Sequence, residues 1–173
     1  CRVLVNDGNA VDANGLAPHS IEVIARGLAT DSVQADRLAN LLLDIKSAGI
    51  ETNGTTTRTV TDTQGNSYQI KLSWTADTDI WFEADIVIDS NLFPSDGDAQ
   101  IKAAIVAIED GYEPGDDVIA VFVRSICFTV PGVLDVPALR LGTASSPTGL
   151  VNIAIGIRNI ANFDTTRVLV THV

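Results

Sequence analysis

Phe82-Glu83-Ala84-Asp85-Ile86-Val87-Ile88-Asp89 is followed by Ile101-Lys102-Ala103-Ala104-Ile105-Val106-Ala107-Ile108, and the apolar period changes between the two runs. In the first, Phe82, Ala84, Ile86 and Ile88 alternate with Glu83, Asp85 and Asp89, the period of two that marks a half-buried strand. In the second, Ile101, Ala104, Ile105 and Ile108 recur at three and four residues, one stripe on a helix, with Ser95 or Asp96 placed to cap it. A strand that hands over to a helix packed on it predicts an α+β fold.

Reading outward gives the same kind of unit on both sides. Downstream, Asp116 or Asp117 opens a third helix whose stripe is Ile119, Phe122, Val123 and Ile126, and Pro131-Gly132 ends it. Short strands are expected at Val133–Val136, Leu139–Leu141, Val151–Ile157 and Arg167–Thr171. Upstream, Arg2–Val5 reads as a strand, Asn6–His19 as a loop rich in Asn, Asp, Gly and Pro, and Ile21, Val23 and Ile24 as a second strand. Asp31 with Gln34 forms a capping-box pair, Leu38, Leu41, Leu42 and Ile45 make a helical stripe, and Gly49 stops that helix. Thr55–Thr61, the turn Gln64-Gly65-Asn66 and the alternating Tyr68, Ile70 and Leu72 predict a hairpin with one buried face. Its Thr-rich arm reads as an exposed or edge strand. The boundary is expected within Ser73–Thr78. Residues 1–76 then form an α+β subdomain of strand, helix and hairpin, and residues 77–173 one of long strand, two helices and C-terminal strands. In both, amphipathic helices pack on short, mainly antiparallel sheets.

Composition narrows the partners. Lys and Arg total 11 against 22 Asp and Glu, a net charge of −11 that repels phosphate backbones and argues against nucleic acid. No apolar run approaches the roughly 20 residues a membrane-spanning helix needs, so no membrane partner is expected. Cys1 and Cys127 are too few for a disulfide framework. A chain that opens on Cys1 and has no Met is expected to be a piece or processed form of a longer product. A processed lipoprotein also begins with cysteine, but Arg2-Val3-Leu4-Val5 reads as a strand and not as a tether.

Few residues invite chemistry. His19 and Ser20 are neighbours, yet no Gly-x-Ser-x-Gly elbow is present, and His19 reads as a loop histidine bonded to backbone. His172, near the end of the last strand, carries no role. Two distant histidines and one internal cysteine make no closed zinc site. Asp96, Asp98, Asp116 and Asp117 have the chemistry of calcium ligands but lack the alternating loop, and each pair stands where a helix begins. No Gly-rich phosphate loop follows a strand. Cys127 reads as a packing residue, and Trp74 and Trp81 as core or interface anchors flanking the boundary. Gly142–Gly149 reads as a surface connection. No catalytic, cofactor-binding or metal-binding residue is assigned, no cofactor is expected, and the chain is not read as an enzyme.

The loops carry a further clue in their order. Phe93-Pro94-Ser95-Asp96-Gly97, Tyr112-Glu113-Pro114-Gly115-Asp116-Asp117, Val130-Pro131-Gly132-Val133, Ser146-Pro147-Thr148-Gly149, Asn152-Ile153-Ala154-Ile155 and Phe163-Asp164-Thr165-Thr166-Arg167-Val168 follow one another at fixed spacings. Together they resemble the C-terminal part of the baseplate J-like proteins of contractile phage tails. Gly15–Val23 and Ala48–Thr56 are similar to that family's middle region, so the likeness covers most of the chain. It implies a structural virion protein of a phage or prophage tail baseplate, a wedge component assembled in the cytoplasm of the bacterial host. It also implies a homo-oligomer, a dimer or ring, that binds other baseplate wedge and tail proteins and passes on the contraction signal. The family's characteristic N-terminal region has no counterpart in this sequence, which puts the full set of ring contacts in doubt. The alternative is a carbohydrate-binding or adhesin module of a bacterial surface, against which the 5% aromatic content weighs.

Overall fold

The computed structural model describes every residue of the chain except 28–31, so the expected Asp31–Gln34 cap lies outside the described residues. The chain forms two compact units, Cys1–Ala76 and Asp77–Val173. The architecture is α+β, with mixed, mostly antiparallel sheets.

The first unit contains β1 (Arg2–Asn6), β2 (Ser20–Ala25), α1 (Ser32–Ile45), β3 (Glu51–Asn53), β4 (Thr56–Thr61) and β5 (Ser67–Trp74). The strands run β1-β2-β5-β4 across the sheet, and β3 also pairs with β2. β1 and β4 join antiparallel partners, whereas β2 pairs in parallel with β3 at Ser20–Glu22 and with β5 at Ile24 and Ala25. Gly54, between β3 and β4, makes this possible, because a Cβ there would lie 2.2 Å from the Leu72 carbonyl carbon. The core gathers Val23, Ala25, Val60, Ile70, Leu72 and Trp74 beneath Ala35, Ala39 and Leu42 of α1.

That face of α1 differs from the leucine stripe expected. Leu42 is buried, but Leu41 is 53% and Ile45 67% exposed. Ala35 and Ala39 let the helix backbone approach the sheet closely, and larger leucines on that face would hold it off. The helix also stops at Ile45, four residues before Gly49. Gly49, at φ 83°, serves the following turn, in which the Ile50 amide donates to the Ser47 carbonyl at 3.2 Å. The hairpin forms with β4 at the sheet edge, and Ile70 and Leu72 are buried as expected, but Tyr68 is 40% exposed, its hydroxyl donating to Asp62 Oδ2 at 3.2 Å. A second, polar layer lies inside the unit. Glu22 and Ser73 are both almost wholly buried, and the Ser73 hydroxyl donates to Glu22 Oε1 at 2.6 Å.

The second unit contains β6 (Ala76–Ile88), α2 (Gly97–Ala107) with a 3₁₀ turn at Ile108–Gly111, α3 (Ala120–Cys127), β7 (Val133–Gly142) and β8 (Asn159–His172). β6 lies at the centre of the three-stranded sheet, between β7 and β8. Of the expected alternation Phe82, Ala84 and Ile86 are buried and Ile88 is half-buried, and the buried face extends back to Ile80. They meet Ile101 and Ile105 of α2 in the core. Asp96 is the residue before α2, but its carboxylate accepts from Gln100 Nε2 at 2.9 Å and not from a backbone amide of the first turn. The two short strands expected at Val133–Val136 and Leu139–Leu141 are one strand, β7. Pro137 does not break it, because β7 is an edge strand and its pairing with β6 shifts register between Asp135 and Ala138. The strand expected at Val151–Ile157 does not form; only Ile153 bridges, to Val118. β8 begins earlier than expected and runs for 14 residues.

Candidate functional site

The helix α3 is apolar nearly all round, Ala120-Val121-Phe122-Val123-Arg124-Ser125-Ile126-Cys127. Its start is fixed from outside. The Asp117 carboxylate accepts from the Ile155 amide at 2.9 Å, and Val118 exchanges backbone bonds with Ile153 at 2.9 and 3.0 Å. Those bonds put Val118 in a β-bridge, with Ile119 extended after it, so neither aspartate opens the helix as expected. The first turn is instead served by Asn152, whose Oδ1 accepts from the Ala120 amide at 3.0 Å. Delaying the start rotates the buried face to Ala120, Val123 and Cys127, in place of the expected stripe of Ile119, Phe122, Val123 and Ile126.

The consequence is an apolar surface left facing outward. Val121 is 77% exposed, and Ile119, Phe122 and Phe128 are each exposed by more than two-fifths. A helix that buries one side normally carries polar residues on the other. Here Ser125 and Arg124, whose side chain is 41% exposed and pairs with Asp135, are the exceptions. Beside this face lies an open groove of about 470 Å³, with Ala107, Ile108, Tyr112, Ile119 and Phe122 among its walls. Asp116 and Asp117 line it too. Between Glu109 and Asp117 there are five carboxylates (Glu109, Asp110, Glu113, Asp116 and Asp117) and no Lys or Arg. The Tyr112 ring rests 5.8 Å from Phe163, and burial, with the Asp116 charge adding to it, pushes its phenol pKa up.

The residues singled out in the sequence are not brought together. His19 stands at φ 52°, and its Nε2 lies 3.0 Å from Asn9 Oδ1, so it meets a side chain and not backbone. Ser20, beside it, is buried; its hydroxyl donates to the Ala17 carbonyl and accepts from Asn53 Nδ2, both at 2.6 Å. Asp98 pairs with His172 Nε2 at 2.8 Å, and Phe93 meets the same imidazole edge-on at 5.4 Å, so His172 does have a structural role. Asp116 accepts from the Glu113 amide at 2.9 Å. Among the described residues, no three His, Cys, Asp or Glu side chains converge on a point where an ion would sit. Cys127 is wholly buried, and desolvation pushes its thiol up to about 11. Trp74 lies in the first core, while Trp81 is half-buried opposite Gly142. The Gly142–Gly149 segment closes on itself: the Leu141 amide donates to the Gly149 carbonyl at 2.8 Å, and Pro147 tucks inward.

The outward face of α3 escaped the sequence reading because the helix start was misplaced. A signal was nonetheless present. Six of its eight residues are apolar, more than one buried stripe requires. No protein-family model and no curated protein matches this chain.

Proposed function

We propose that this chain is a structural component of a phage or prophage tail baseplate, a wedge-type subunit that joins its neighbours and transmits the contraction signal. The observation that carries the assembly role is the unpartnered apolar face of α3, with its acid-rimmed groove. Apolar surface gathered on one element marks sites of protein association more often than sites of chemistry. The loops that resemble the baseplate J-like family support the choice of assembly. They are the joints of the second unit: Asp89 and Phe93 meet Gly132, and Asp117 and Val118 meet Ile153 and Ile155. Loops that brace a fold and carry no converging acid, base or nucleophile suit a structural subunit. The free edge of β4, polar and Thr-rich, offers a second place for a neighbour to add a strand.

Immunogold electron microscopy tests the reading, with antibody to this chain applied to particles induced from the source bacterium. Label at the distal end of contractile tails is the expected result. Label on cell surfaces beside bare tails would overturn it in favour of an adhesin.

A further inference from the structure

The chemistry of the groove beside α3 identifies the kind of partner it fits. Its walls are apolar, with Ile108, Ile119 and Phe122 presenting side chains to the opening. Its rim is acidic: Asp116 and Asp117 line it, Asp110 and Glu113 adjoin the lining residues Gly111 and Tyr112 in the chain, and the sequence holds no cation between Glu109 and Asp117. An apolar floor rewards aliphatic or aromatic anchors, and an anionic rim rewards Lys or Arg flanking them. A second copy of this chain fits poorly, because two molecules of net charge −11 repel and this surface is among the most acidic parts of the chain.

We infer that the groove receives an amphipathic segment of another protein, one carrying apolar anchors at helical spacing and basic residues beside them. The inference rests on the assembly reading for the partner's being a neighbouring subunit. The groove's preference for cationic, apolar-anchored chains follows from its own residues. Phe122 is the principal anchor contact, since it is the one aromatic side chain that belongs to both the groove and the exposed face of α3. The acidic rim contributes selectivity and salt dependence.

The test uses the whole 173-residue chain and a fluorescein-labelled model helix, with leucine at i, i+3, i+4 and i+7 and lysine elsewhere. Fluorescence anisotropy is expected to show binding that weakens about tenfold for Phe122→Ser, a neutral change at an exposed site. The double variant Asp110→Lys/Glu113→Lys is expected to weaken it by a similar factor. Asp7→Lys/Asp44→Lys, which makes the same change in net charge on the first unit, is expected to leave it unaltered. Equal binding by wild type and Phe122→Ser would overturn the inference, as would equal binding of polylysine that lacks leucine. A Phe122-dependent dimer in sedimentation velocity would also overturn it, by showing a second copy to be the occupant. These outcomes are separate from the immunogold result. Tail label without peptide binding sinks the groove and keeps the assembly reading, and peptide binding without tail label does the reverse.

Discussion

At the scale of single residues, the tightest constraints fall on glycines and on one thiol. Gly54 stands at φ 152°, with the Leu72 backbone 2.2 Å from where a Cβ would be. Gly54→Ala is therefore expected to cost the first unit about 2–4 kcal/mol, combining backbone strain with a clash that cannot move aside. Gly65, at φ 89° with open space around it, should lose only about 1 kcal/mol on the same change. Urea unfolding followed by Trp74, which is buried in that core, separates the two. In the adjoining turn, the Asp62 carboxyl is held below its ordinary 3.8, chiefly by the Asn66 side-chain amide, then by the Asn66 backbone. Its folded state favours the ionised form, so its contribution is present above the unfolded value and is lost as pH falls through the depressed one. The stability gap between wild type and Asp62→Ala should accordingly close as pH drops below about 3.8. Cys127 has the opposite sign. Its thiol is raised to about 11 by burial, so it favours folding fully below its ordinary 9.0, and that advantage disappears as pH climbs through 11. A thiol reagent at pH 8 should react quickly with exposed Cys1 alone, and reach Cys127 only after denaturant is added.

At the scale of elements, the helices separate what the sequence disclosed from what it hid. Strands with a clean alternation were readable: β6 buries Phe82, Ala84 and Ile86, because Glu83 and Asp85 between them are charged and leave no second phase to choose. The stripe of α2 was readable in part: Ile101 and Ile105 are buried, whereas Ala104 is half-buried and Ile108 falls in the following 3₁₀ turn. In α1 the leucines drew attention from Ala35 and Ala39, since size was taken as the mark of burial when close approach to the sheet needed small residues. In α3 the pattern is degenerate, because a helix with six apolar residues in eight fits several rotations and only the bonds to Asn152, Ile153 and Ile155 choose among them. Those bonds join positions more than 30 residues apart, beyond the reach of any local period. The same blindness explains the strand wrongly expected at Val151–Ile157, whose apolar alternation serves to anchor α3 and not a sheet. Two expectations test these assignments. Asn152→Ala should lower the stability of the second unit by about 1 kcal/mol, the usual loss of a helix cap, measured by chemical denaturation. Leu42→Ala should cost the first unit about 2–5 kcal/mol, whereas Leu41→Ser, at an exposed site, should stay within about 0.5 kcal/mol.

At the scale of the whole molecule, acidity governs behaviour. A sequence isoelectric point near 4.3 places minimum solubility there, and turbidity measured from pH 3 to 8 should peak close to that value. The two units have separate cores, but they do not have equal histories. Glu22 and Ser73 are 51 residues apart, and the parallel bond between β2 and β5 that they brace spans nearly the entire first unit. At about 5–20 residues per second, β2 leaves the ribosome several seconds before β5 exists to cover it. During that interval its partners are β1, already made, and later the three-residue β3, while the Ile24–Ala25 end of its other edge and the Ser73 bond to Glu22 wait for a strand not yet translated. The first unit is thus closed by its last residues, and any cell that makes it must shelter a half-finished sheet until they arrive.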